Sequence, residues 1–106
     1  VFIYVSSFTY ATSSPLAMFI GGAGDRIERM KIEIATAFDG TSSITVGDAG
    51  DTDRFFQSSE VDLSDTGMYE KSLNYEFPGS TQVNLYLSIT GATQGAGEVV
   101  TIVRKS

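Results

Sequence analysis

Thr81-Gln82-Val83-Asn84-Leu85-Tyr86-Leu87-Ser88-Ile89-Thr90 is the stretch whose reading decides the fold. Val83, Leu85, Leu87 and Ile89 alternate with Gln82, Asn84, Tyr86, Ser88 and Thr90. Successive side chains of a β-strand point to opposite faces, so unbroken alternation predicts a strand with one apolar and one wet face. Such a strand belongs to an antiparallel sheet that covers a core on one side only.

Downstream, Gly91 to Gly97 reads as a glycine- and alanine-rich loop. Glu98 to Arg104 then carries Val100 and Ile102 on one side and Val99, Thr101 and Val103 on the other, the pattern of a strand covered on both faces. Upstream, Met68 to Phe77 alternates weakly until Pro78-Gly79 ends it, and Asp65-Thr66-Gly67 turns the chain before it. Ser43 to Val46 is a short strand with Ile44 and Val46 on one face. Gly47 to Arg54 reads as an acidic, glycine-punctuated loop leading to Phe55-Phe56, and Asp39-Gly40 is a pair favoured in tight hairpins.

Arg26 to Phe38 fits two periods. Ile27, Met30, Ile34 and Phe38 fall at helical spacing, whereas Met30, Ile32, Ile34 and Thr36 alternate with Arg29, Lys31, Glu33 and Ala35. Flanking glycine turns and the lack of a capping box favour the strand. Leu16 to Ile20 is a short apolar run closed by Gly21-Gly22-Ala23-Gly24-Asp25. Val1 to Tyr10, rich in β-branched and aromatic residues, suits another strand. This first segment, within residues 1–15, is either an edge strand of the domain or an extended arm laid on a neighbouring molecule, because apolar termini need a partner to be ordered. Short strands separated by Gly, Asp, Ser and Pro turns predict an all-β fold, an antiparallel β-sandwich or jelly-roll-like domain over residues 16–106.

Composition narrows the function. A chain of 106 residues with 42% hydrophobic residues makes one domain with one core. The formal charge of −6, with seven Lys and Arg in all, disfavours nucleic acid and anionic membranes, whose binding rests on clustered cations. There is no Cys, which excludes disulfides and thiolate metal sites, and no His, which removes the commonest general base. The chain opens on Val1, which suggests trimming or a longer parent. Val1 to Ile20 is interrupted by Ser, Thr and Pro and lacks a basic start, so neither a signal peptide nor a membrane span is expected.

Candidate chemistry is sparse. Asp48, Asp51 and Asp53 lie on a glycine-rich segment, and hard carboxylate oxygens suit Ca²⁺. Their spacing is not that of an EF-hand, which favours the alternative of an exposed turn with Asp side chains bonded to backbone amides. Paired carboxylates among Asp51, Asp53, Glu60 and Asp62 could in principle serve a glycosidase, but so short a chain leaves little room for a cleft. A Ser paired with Lys31 or Lys71 has no supporting motif, and Gly21 to Gly24 precedes a strand rather than a phosphate-binding helix. No enzymatic activity is expected, nor any required cofactor. Tyr69, Tyr75 and Tyr86 could line a carbohydrate site or stabilise the sheet as cross-strand partners.

Lys31 to Thr36, Ala37-Phe38-Asp39-Gly40, Ile44-Thr45-Val46-Gly47-Asp48 and Asp51-Thr52-Asp53-Arg54 form a series of strand and turn motifs. With Gly67-Met68-Tyr69, the Thr81 to Thr90 strand and Ala96-Gly97-Glu98, the series resembles small β-domain virion proteins of tailed bacteriophages over roughly residues 26–104. The resemblance implies a structural part of the virion: a capsid decoration or cement protein, or a tail or fibre domain. It further implies partners among other virion proteins and copies of itself, often as trimers. Phe2, Ile3, Tyr4, Val5, Phe8 and Tyr10 would then be interface residues, joining neighbours by strand addition. A carbohydrate-binding, host-recognition module is the alternative from another class.

Overall fold

A computed structural model describes residues 1–106. Eight strands run in chain order: β1 (Phe2–Thr9), β2 (Leu16–Gly21), β3 (Arg26–Thr36), β4 (Thr41–Asp48), β5 (Asp51–Phe56), β6 (Gly67–Glu76), β7 (Thr81–Thr90) and β8 (Ala96–Arg104). A single 3₁₀ turn, Ser58–Glu60, links β5 to β6. All pairings are antiparallel, in two four-stranded sheets of order β1-β8-β3-β6 and β2-β7-β4-β5. Every connection except β4–β5 passes from one sheet to the other. Eight strands wound in this way between two facing sheets make a jelly roll.

The alternations that mark the strands also build the core. Val83 and Leu85 of β7, Ile44 and Val46 of β4, Met30, Ile32 and Ile34 of β3, and Val99 and Val103 of β8 meet between the sheets, fully buried. Arg26 to Thr36 is therefore the strand that its two-residue period predicts. Ile27 also points inward because a bulge between Ile27 and Arg29 shifts the register there. Phe8, Phe38, Phe55, Phe56 and Phe77 fill the ends and flanks of the same core. The wet face of β7 (Gln82, Asn84, Tyr86 and Ser88) points away from it.

Two turns depart from expectation. Asp39-Gly40 does not close a hairpin: β3 pairs with β6 and β8, so the pair carries the chain across to β4 in the opposite sheet. Gly40 has φ +72, and the Asp39 carboxylate accepts from the amides of Thr93 and Gln94, at 2.7 and 3.0 Å, tying this arch to the β7–β8 loop. Gly47 to Arg54 is not a loop. Its only turn is Ala49-Gly50, and Asp51 already begins β5, opposite Asp48. Asp51 to Arg54 lie exposed on a sheet edge, which is why no apolar alternation announces them.

Candidate interaction surface

β1 decides the question of the first segment. It is paired along its whole length with β8, from Phe2 opposite Val103 to Thr9 opposite Ala96, and is the edge strand of its sheet. Of the two readings of the first segment, this pairing is that of the edge strand. Alternation then divides the expected contact residues. Phe2, Tyr4 and Phe8 share the inner face with Val103, Thr101 and Gly97, whereas Ile3 and Val5 share the outer face with Ile102 and Val100. Phe8 is only 1% exposed and packs on Phe38, ring centroids 6.0 Å apart, so it belongs to the core instead of to a contact surface. Tyr4 is half-buried, its ring on Phe19 of β2. Tyr10 lies past the strand end, its N–H donating to the Gly95 carbonyl at 3.1 Å.

Phe2, Ile3 and Val5 remain well exposed, Ile3 at 63% and Val5 at 57%. The register sets Ile3 beside Ile102 and Val5 beside Val100, so four aliphatic side chains form a patch on the outer face. Arg29 and Lys31 of β3 lie opposite Ile102 and Val100 on their other side. The patch thus has a basic border toward the middle of the sheet and none toward the β1 edge. Sequence reasoning named Ile3 and Val5 but not Val100 and Ile102. Their apolar character marked β8 as covered on both faces, whereas only Val99, Thr101 and Val103 are buried.

The two flanks of the sandwich are closed by different chemistry. Between β1 and β2 the closure is aromatic, and Lys105 Nζ sits 5.2 Å from the centre of the Phe2 ring and 5.8 Å from that of Tyr4. Lys105 Nζ also donates to Asp25 at 3.0 Å. The Asp25 carboxylate, nearly buried, accepts from the amides of Ser106 and Gly22 as well, and these bonds, with Lys105, hold it below the usual carboxylate range. On the opposite flank Lys71 Nζ reaches the Phe55 carbonyl and both oxygens of Glu60, each at 2.9 Å.

The three acidic candidates do not converge. Asp48 is buried and accepts from Arg54 Nε at 2.7 Å and from the amides of Gly50 and Asp51. The Arg54 hydrogen bond is the main reason that its carboxyl lies below the ordinary value. Asp51 and Asp53 are exposed, and hydrogen bonding with Asp51 raises Asp53. No three acidic side chains stand close enough together to hold a metal ion. Tyr69, Tyr75 and Tyr86 are half-buried. Tyr75 meets Phe55 and Phe77 edge to face, Tyr69 accepts from the Asp62 amide, and Tyr86 accepts from Asn84.

The class defined by this geometry is an eight-stranded jelly-roll domain with an exposed aliphatic edge. No protein-family model and no curated protein matches the sequence. Solved structures do match the fold. A chain of the cyanophage Pam1 capsid asymmetric unit is similar over 98% of this chain and 84% of its own, with TM-score 0.71 and 18% identity. A chain of the acid-stable capsid of Helicobacter pylori bacteriophage KHP30 is similar over 99% of this chain and 93% of its own, with TM-score 0.75 and 12% identity. At these identities the likeness is one of fold.

Proposed function

We propose that this chain is a structural protein of a bacteriophage virion, a capsid decoration or cement subunit that stabilises the particle through subunit contacts and performs no reaction. The observation that carries the reading is mutual coverage: both neighbours come from phage capsids, and each matched chain is little more than this one domain. A chain built almost entirely of one small jelly roll suits a subunit added to a shell. The exposed aliphatic edge supplies apolar area for such contacts, and assembly lowers free energy by removing that area from water.

Gradient-purified heads of the phage that encodes the chain provide the test, by quantitative mass spectrometry and by heating particles with and without the protein. The expected result is many copies per head and release of DNA at a lower temperature when the protein is stripped. Absence from purified heads overturns the reading. Presence confined to detached tails assigns the tail or fibre alternative.

A further inference from the structure

The four sheet edges are not equally protected. An open edge strand is a template for pairing with another chain, and proteins blunt such edges with charge, bulges and kinks. β5 carries Asp51, Asp53 and Arg54. β6 carries Glu70, Lys71 and Glu76 and is bent at Asn74, the one non-glycine residue with positive φ. β2 is interrupted by a register shift between Ala17 and Phe19. β1, Phe-Ile-Tyr-Val-Ser-Ser-Phe-Thr, has no charge, no proline and an unshifted register, and apart from Thr9, whose N–H and C=O are tied to Thr12, its outward backbone groups have no partner within the chain.

We infer that the occupant of this edge is β1 of a second copy, paired antiparallel about a two-fold axis that passes beside Tyr4. The register follows from matching like with like. Centred on Tyr4, Ile3 of each copy faces Val5 of the other, and the two aliphatic patches merge into rows that run Ile102, Ile3, Val5, Val100 across the joint. The flanking rows run Arg104, Val1, Ser7 and Glu98 across the joint; they bring no like charges together, but Arg104 is already paired with Glu28 and stands three strand spacings (roughly 14 Å) from Glu98 of the other copy, so they add no ion pair. Shifting the centre to Val5 instead sets Ile3 against Ser7 and drives Ile102 into the row of Glu98, which breaks the aliphatic rows. The absence of charge on β1 itself lets two copies of a chain with net charge −6 approach here.

The result is one continuous eight-stranded sheet. The joint is isologous and closes at two copies. This inference rests on the reading of the chain as an assembling subunit but replaces three-fold association with a two-fold joint.

The purified chain alone tests it, without any phage particle. Sedimentation equilibrium of the wild type should show a dimer, and Ile3→Lys or Val5→Lys, both at exposed sites, should weaken dimerisation at least 10-fold, by about 1.4 kcal/mol or more, with an unchanged far-ultraviolet spectrum. Because the chain has no native cysteine, Ile3→Cys mixed with Val5→Cys should form a disulfide heterodimer on mild oxidation faster than either variant alone. A wild type that stays monomeric at 0.1 mM (roughly a hundredfold above a micromolar dissociation constant), a trimer, a dimer indifferent to both lysines, or cross-linking without preference for the mixed pair overturns the proposal. None of these results bears on whether the chain is found in purified heads.

Discussion

The ring of Tyr4 lies flat on the ring of Phe19, centroids 4.6 Å apart and planes 9° from parallel. Phe19 in turn meets Phe77 edge to face at 6.4 Å. Through these contacts β1 of one sheet is fastened to β2 of the other, along a flank that no backbone hydrogen bond closes. Tyr4→Ala removes the cover from a core phenylalanine and should destabilise the fold by about 2–3 kcal/mol. Tyr4→Phe keeps the stack and should cost less than about 0.5 kcal/mol. Urea unfolding midpoints distinguish the two.

Thr101 sits at the centre of its sheet, fully buried, and its hydroxyl has no hydrogen-bond partner. A buried hydroxyl left unpaired carries a desolvation penalty without compensation. Thr101→Val should therefore raise stability by about 1 kcal/mol, seen as a higher melting temperature. A destabilised variant would show that the hydroxyl is satisfied after all.

Gly40 combines φ +72 with a close approach to the Thr90 carbonyl and the Ala92 amide, which a Cβ atom would strike. Gly40→Ala should cost about 2 kcal/mol or more by denaturant titration. Gly79, with open space around it and no positive φ, should accept Ala almost without effect.

Acid should unfold the protein in a direction set by its carboxylates. Asp48, held low chiefly by Arg54, and Asp25, held low by the Ser106 and Gly22 amides and Lys105, bind protons less readily when folded than when unfolded. Their contribution is complete above the unfolded carboxylate value of about 3.9 and disappears as pH falls through the lower folded values. Asp53, raised by Asp51, has the opposite sign and offsets part of this loss. Asp48→Asn should be less stable at pH 7 by about 1–2 kcal/mol. It should also lose less stability than the wild type between pH 5 and pH 2 (roughly the span of carboxylate titration) in thermal melts.

Strand positions were legible in the sequence wherever one face is buried. Thr81 to Thr90 alternates because Val83 and Leu85 must enter the core while Asn84 and Tyr86 stay outside it, and the strand occupies that same span. β5 was not legible, because Asp51 to Arg54 cover no core and so have no apolar period. Sheet membership was not legible either. Asp39-Gly40 satisfies the local chemistry of a hairpin, but whether two strands pair across a turn is settled by partners distant in sequence, here β6 and β8. The same limit applies to the surface. Phe2, Ile3, Tyr4 and Val5 announced an apolar segment, yet only pairing with β8 assigns Ile3 and Val5 outward and Tyr4 and Phe8 inward.

The winding order constrains how the chain reaches its native state. β8, the last of the eight strands in chain order, lies between β1 and β3, so its sheet cannot close during synthesis until β8 has emerged. Because only β4–β5 joins strands within a sheet, nearly every stabilising pairing spans a long loop, and such topologies fold slowly, on roughly the millisecond-to-second scale. Until then β1 waits with both of its edges open, and a nascent chain held near its siblings on one messenger would be vulnerable to mispairing through that uncharged strand.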